Sequence, residues 1–274
     1  MQAKKTVLAN QSLWATKAGL KLDAKGYFSS WEENLHRPLS GQALAAFRRG
    51  SGNELQDVEN RAAKMRAAHS SSALVVNVFD YWSGSADRVL SALGLPAGGK
   101  SVSFEAQFPT GLEGGPANLD VCVELADGSL VGVESKFTEW LTPKPASKEH
   151  FKPKYFPADK KVWESLGLRG AQRLAEDVHA RAKHFRYLDA PQLLKHALGL
   201  ATSKRAFELY YLYYDCAGRE ADVHLTEIQD FRRCVGEDFP FHVGTYQEAY
   251  ARIREQAAES DAAYLAYLDA RYFA

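Results

Sequence analysis

Apolar and polar positions change period several times along the chain, and those changes predict its elements. Over residues 54–93 apolar side chains return at helical spacing through ELQDVENRAAKMRAAH, SALVVNVFDYW and SADRVLSAL. Gly50-Ser51-Gly52 breaks the chain before this region. Three strand-like runs follow at 102–108, 119–125 and 130–137, the last two separated by Ala126-Asp127-Gly128-Ser129. Asp-Gly between two alternating apolar runs is a strong hairpin signal. Residues 141–161 read as a loop rich in Pro and Lys. Helical periodicity returns in AQRLAEDVHARAKHFRYL and PQLLKHALGLA, a buried strand is expected at 206–215, and amphipathic helices close the chain. The first 50 residues, with Trp14, Tyr27, Phe28 and Trp31, are expected to wrap around a domain spanning 51–274.

The order is helices, an antiparallel meander, helices, a returning strand, helices. A strand that returns after a long helical crossover can pair parallel with the earlier ones. The expected fold is therefore α/β (α+β), a mixed central sheet of about four or five strands flanked by helices.

Composition narrows this picture without redirecting it. Of 274 residues, 46% are hydrophobic and 25% charged, which fits a folded domain and excludes a disordered chain. No apolar run suits a signal peptide or a membrane span, so a cytoplasmic protein with no membrane partner is expected. Cys122, Cys216 and Cys234 are too scattered for a disulfide framework or a CxxC zinc site. Net charge is zero but unevenly spread. Residues 136–205 hold 15 Lys and Arg against 7 Asp and Glu, whereas 206–274 hold 6 against 13. A basic block beginning at a carboxylate cluster suits a polyanion reached through a bound cation. A solvated helix face balanced by the acidic tail would give the same numbers.

The hairpin carries the candidate chemistry. Residues i and i+2 of a strand share a face, so Glu134 and Lys136 point one way and Ser135 the other. With the turn near Asp127-Gly128, position 120 falls opposite about 135, which brings Asp120 beside Glu134 and Lys136. Two acids and an amine at the end of apolar strands are costly unless something uses them. Mg²⁺ takes oxygen ligands at roughly 2.1 Å, commonly one or two carboxylates plus water and phosphate oxygens. Asp120, Glu134 and the Ser135 carbonyl could supply three positions, with Mn²⁺ a natural substitute for Mg²⁺. The cation would polarise a phosphodiester and lower the pKa of a bound water. Lys136 would hold that water or offset charge in the transition state.

Asp120, thirteen intervening residues, then Glu134-Ser135-Lys136 resembles the PD-(D/E)XK motif of restriction-endonuclease-like nucleases. Leu119 stands where the pattern has proline, with Pro116 close by. The resemblance implies catalytic Asp120, Glu134 and Lys136, an Mg²⁺ cofactor, DNA as substrate and restriction-type cleavage. It extends to Glu54, expected at the head of a long helix like the family's helical acid, and to Gln192, like a glutamine some members carry after the motif. Glu105, mid-strand before the motif, is a candidate further ligand. Glu54 could equally be a first-turn acid favoured by the helix dipole, Glu105 an exposed strand residue and Gln192 ordinary surface. Gln192, Lys195 and His196 share a helical face. The stretches KMRAAHSSSALVVNVFDYW and FELYYLYYDCAGREADVH resemble a bacterial group of restriction-like nucleases. His69 and Asn77 are read as core or cap residues, with substrate contact as the alternative, and Glu139 as an ion-pair partner of Lys136. Cutting both strands of a duplex would suggest a homodimer. The rival class is a catalytically silent DNA-binding or assembly module on the same fold.

Two other signals fall away. Residues 94–101 match GxxxxGK[ST], but a helical run precedes them and a strand follows, the reverse of what a phosphate-cradling loop needs. His179, His184, His196, His224 and His242 make no spacing typical of zinc.

Overall fold

The computed structural model describes residues 2–50, 52–146 and 151–273. One five-stranded sheet runs in the order β1-β2-β3-β4-β5. Its strands are β1 Gly99–Phe108, β2 Ala117–Leu125, β3 Leu130–Lys136, β4 Phe207–Tyr213 and β5 Phe241–Thr245. β1, β2 and β3 form the antiparallel meander, and β4 and β5 continue parallel to β3. The expected mixed sheet, its hairpin and its parallel return are all present. β5 is the strand that patterning leaves unassigned. It is five residues long, and Gly244 within it is needed because a Cβ there would lie 2.1 Å from the Tyr210 hydroxyl oxygen.

Among the described residues nine α-helices flank the sheet: α1 Gln2–Lys17, α2 Gly41–Arg49, α3 Ser71–Phe79, α4 Ala86–Ala92, α5 Arg169–His179, α6 Ala190–Thr202, α7 Arg219–Val235, α8 Tyr246–Glu255 and α9 Ala262–Leu268. Each sheet face is sealed by its own helices. Val121, Val123, Val131, Val133, Tyr210 and Leu212 pack with side chains of α2, α3, α4 and α8. Leu119, Cys122, Leu130, Leu209, Tyr211 and Tyr213 pack with those of α5, α6 and α7. β4 alternates between the two cores along its length, so it is apolar at nearly every position, as an interior parallel strand must be.

Two expectations change. Residues 54–70 are not a long helix: they hold one 3-10 turn, Lys64–Arg66, in an otherwise irregular loop. Asn53 and Asn60 adopt left-handed φ of 55° and 60°, and the Asp57 carboxylate accepts from Ala63 N–H and Arg66. These local side-chain bonds compete with a helix. Glu54 therefore sits in a loop and not at a helix head. The opposite change occurs at the start, where α1 buries Ala3, Val7, Gln11 and Ala15 at a spacing of four. Two of those four positions are alanine and one is glutamine, which hides the apolar stripe. Ser51 and residues 147–150 of the Pro/Lys-rich loop lie outside the described residues. Within residues 94–101, positions 94–98 form the turn from α4 to β1 and 99–101 already open β1. Among the described residues no helix is long and apolar enough to cross a membrane.

Candidate active site

The site begins where two strands change face together. From Ser101 to Phe108 the register of β1 on β2 is constant, with Phe104 opposite Val121 and Ala106 opposite Leu119, which sets Glu105 across from Asp120. Phe104 and Val121 belong to one core, whereas Ala106 and Leu119 pack into the other. The side-chain alternation thus breaks at the rung formed by Glu105 and Asp120. Glu105 carries the distortion with φ 47°, a conformation that costs a non-glycine residue on the order of 1–3 kcal/mol.

The hairpin register differs by one residue from the sequence expectation. Val121 pairs with Val133, so Asp120 comes level with Glu134 rather than Ser135. Because the side-chain period is two, this shift is what lets Asp120 and Glu134 share a face. Ser135 still contributes, since its backbone N–H donates to Asp120 Oδ2 at 2.6 Å. Its hydroxyl pairs with the Tyr246 hydroxyl at 2.6 Å on the opposite side of the sheet, leaving the carboxylates undisturbed.

A cleft of about 410 Å³ opens over this end of the sheet and is lined by Glu54, Glu105, Asp120, Glu134, Ser135, Lys136 and Gln192. All of the predicted site residues therefore meet in one place. Glu134 is 2% exposed. Its Oε1 lies 2.5 Å from Lys136 Nζ, and its Oε2 lies 2.7 Å from His196 Nε2. Lys136 Nζ also donates to Gln192 Oε1 at 2.8 Å. Glu54 is held by Lys64 at 3.1 Å and by the Ser72 hydroxyl at 2.9 Å.

The charges are unbalanced toward acid. Burial, then Glu54 and Glu134, push the Glu105 carboxyl up to about 7. Burial and the Glu134 carboxylate hold Asp120 well above the usual range, against the pull of Lys136 and the Ser135 N–H. Glu134 faces the same burial penalty, but Lys136 and His196 outweigh it and hold its carboxyl far below normal. Lys136 stays protonated because Glu134, Glu139 and Asp120 overcome its desolvation. One amine thus serves three neighbouring acids.

Three lining residues that the sequence reading does not name, Lys4, Tyr27 and Ser72, also face the cleft, and so does His69. Lys4 and Tyr27 come from the first 30 residues, far in sequence from the hairpin, and no spacing signal in the sequence could have shown their approach. His196 is different: it lies one turn after Gln192 on α6, so helical geometry alone points it at the same target. Asn77 takes the core role, with its carboxamide bonded to His36 N–H, the Asn34 carbonyl and the Tyr272 hydroxyl. Glu139 lines the cleft, and its Oε2 accepts from Phe137 N–H at 2.8 Å. On α6, burial lowers the pKa of Lys195, and the charges of Lys154 and Lys152 add to that.

Neither the curated proteins nor the solved structures include a match to this chain. Residues 9–273 match the family model described as "Restriction Endonuclease associating with ARP", and with that match over nearly its whole length the chain belongs to this restriction-endonuclease-like family.

Proposed function

We propose that the protein is a divalent-cation-dependent nuclease that hydrolyses phosphodiester bonds of DNA, an endonuclease of restriction type, with Asp120, Glu134 and Lys136 as catalytic residues. One observation carries this reading: two acids and an amine at PD-(D/E)XK spacing converge on a single cleft with Glu105 and Glu54 beside them. Membership of a restriction-endonuclease-like family supports it.

The donor set fits Mg²⁺ or Mn²⁺. Among the described residues no three His, Cys, Asp or Glu side chains form a ready-made metal shell. Mg²⁺ does not ask for one, since it usually keeps several waters and takes one or two carboxylates plus substrate phosphate oxygens. Burial and nearby carboxylates, Glu134 among them in both cases, raise the pKa values of Glu105 and Asp120, and a cation would relieve both acids. Asp120 and Glu134 would hold it, with the Ser135 carbonyl as a third donor. When bound, the cation would polarise the scissile phosphate and lower the pKa of its water.

The chain's own residues then have distinct tasks. Lys136 supplies a permanent positive charge beside the acids, suited to orienting a nucleophilic water or to neutralising charge on the phosphorane. Gln192 fixes where that amine points. Lys195 on α6, with Lys152 and Lys154 near enough to act on it, would attract the DNA backbone together with those two lysines. Two copies would be needed to cut both strands of a duplex at one place.

The test is plasmid cleavage with Mg²⁺, with Mn²⁺ and with EDTA, beside Asp120→Ala and Lys136→Ala. The expected result is metal-dependent nicking that both substitutions abolish. DNA binding without cleavage under every metal would instead favour the silent-module reading. The family's description names association with ARP, which supports a second version of the proposal: this chain is the nuclease component of an assembly formed in the bacterial cytoplasm. Nicking that appears only when the partner is added would favour that version.

A further inference from the structure

Glu134 has both carboxylate oxygens engaged: Oε1 with Lys136 Nζ at 2.5 Å and Oε2 with His196 Nε2 at 2.7 Å. A cation held by Glu134, as proposed above, needs one of those oxygens. Each carboxylate oxygen has a second lone pair, but a divalent cation on Oε1 would stand beside the protonated amine and repel it, so the two partners of Glu134 are not equivalent.

Lys136 has another acceptor within reach. Gln192 Oε1 receives its amine at 2.8 Å, and Glu139 adds electrostatic attraction. Lys136 can leave Oε1 and remain held. Among the described residues His196 has no such alternative: it is 2% exposed, and neither of its ring nitrogens has another hydrogen-bond partner to turn to. Nε2 stands 2.7 Å from Oε2, within ion-pair range though off the ideal hydrogen-bond line, and among the described residues neither atom has another hydrogen-bond partner. An acceptor nitrogen facing a carboxylate oxygen at that distance would be repelled, so Nε2 carries the hydrogen. Gln192 and His196 stand four residues apart on α6, on one face. The helix thereby presents one group to the amine and one to the carboxylate.

We infer that His196 is a positioning residue that holds Glu134 Oε2 so that Oε1 can pass from Lys136 to a divalent cation, with Gln192 receiving the displaced amine. Without His196 both oxygens of Glu134 are open to Lys136. The carboxylate then folds onto the amine and the cation loses its ligand. This rests on the assignment of Glu134 as a metal-binding residue, and the experiment separates the two.

Free Mn²⁺ is titrated against the full-length protein and followed by its electron paramagnetic resonance signal, without DNA and without any activity readout. His196→Leu is expected to weaken Mn²⁺ binding about 10- to 100-fold, the usual effect of removing a group that orients a metal ligand. His196→Gln, which keeps a terminal N–H donor, is expected to recover most of that loss. Leu198→Ala, in the same helix and fully buried, controls for general loosening: it lowers the melting temperature while leaving Mn²⁺ affinity within about twofold of wild type. Unchanged or tighter binding in His196→Leu overturns the inference while leaving Glu134 as a ligand. Equal weakening by Leu198→Ala also overturns it, because the effect is then only that of a softened helix. No Mn²⁺ binding by the wild type overturns both the inference and the metal-site reading beneath it.

Discussion

Lys136 Nζ lies 2.5 Å from Glu134 Oε1, two residues away on one face of β3, and the two side chains are only 14% and 2% exposed. At such burial the pair is not a source of stability in itself, because desolvation consumes most of the Coulomb attraction. Its value lies in what happens when one member is missing. Lys136→Met leaves an ionised Glu134 with His196 as its one close partner and is expected to cost about 3–5 kcal/mol. The double variant Glu134→Gln/Lys136→Met removes both charges and is expected to regain most of that loss while remaining inactive. Urea denaturation of the two singles and the double at neutral pH checks this. A double variant less stable than either single would show that the pair is stabilising in its own right.

Asp120 presents the reverse case. Burial and the Glu134 charge oppose its ionisation, so at neutral pH the carboxylate works against the folded state. Asp120→Asn keeps an oxygen for the Ser135 N–H and removes the charge. It should raise the melting temperature of the metal-free protein, by about 2–4 °C for each kcal/mol relieved. The wild type, in turn, should gain about 2.7 kcal/mol when Mn²⁺ stands 100-fold above its dissociation constant, and the variant should gain far less. Thermal melts with and without metal decide both points. A variant that is destabilised without metal would mean that Asp120 serves structure before chemistry.

How much of this site could be read from the sequence depended on which period carried it. Asp120, Glu134 and Lys136 lie on a hairpin whose alternation and Asp-Gly turn survive in the sequence, so their meeting was legible. The exact rung was not. The expectation placed 120 opposite 135, whereas the pairing of Val121 with Val133 brings it level with Glu134, and no local pattern distinguishes the two. The break in alternation at Glu105 and Asp120 was equally hidden, because it needs both strands to be seen at once. Glu54 reached the cleft by a loop that its helix-like pattern concealed. The N-terminal contributors Lys4 and Tyr27 are long-range neighbours, and only tertiary packing brings them there.

His224, which does not line the cleft, provides a separate pH dependence. It is buried, stacks on Trp140 at 4.3 Å between ring centres, and pairs its Nε2 with the Tyr211 hydroxyl at 3.0 Å. Burial, aided by Lys144, pulls its pKa down to about 3 from an ordinary 6.5. A histidine with a lowered folded pKa contributes stability that is complete above 6.5. That stability falls as the unfolded chain takes up a proton that the fold refuses, through the window from 6.5 down to about 3. The slope within that window approaches about 1.4 kcal/mol per pH unit. His224→Gln removes this proton uptake, so its stability should decline less steeply between pH 6 and pH 4.5. Denaturation midpoints at several pH values compare the two slopes, and parallel slopes would assign the acid sensitivity elsewhere.

Gly199 tests how tightly the seating of α6 governs the site. At this position a Cβ would lie 2.7 Å from the Ala117 Cβ and 2.9 Å from the Phe108 carbonyl oxygen. Ala117 and Phe108 belong to β2 and β1, and neither a backbone oxygen nor a short side chain can swing aside. Gly199→Ala must therefore lift the helix from the sheet, at a cost of about 1–3 kcal/mol. Because α6 also carries Gln192 and His196, the displacement should reach Glu134 and Lys136. The variant is expected to bind Mn²⁺ more weakly as well as to melt lower. Gly84→Ala makes the comparison, since a Cβ there meets nothing within 4 Å and the substitution should leave both properties nearly unchanged. If Gly199→Ala melts lower but binds Mn²⁺ as the wild type does, the position of α6 matters to the core alone, and the cleft tolerates its movement.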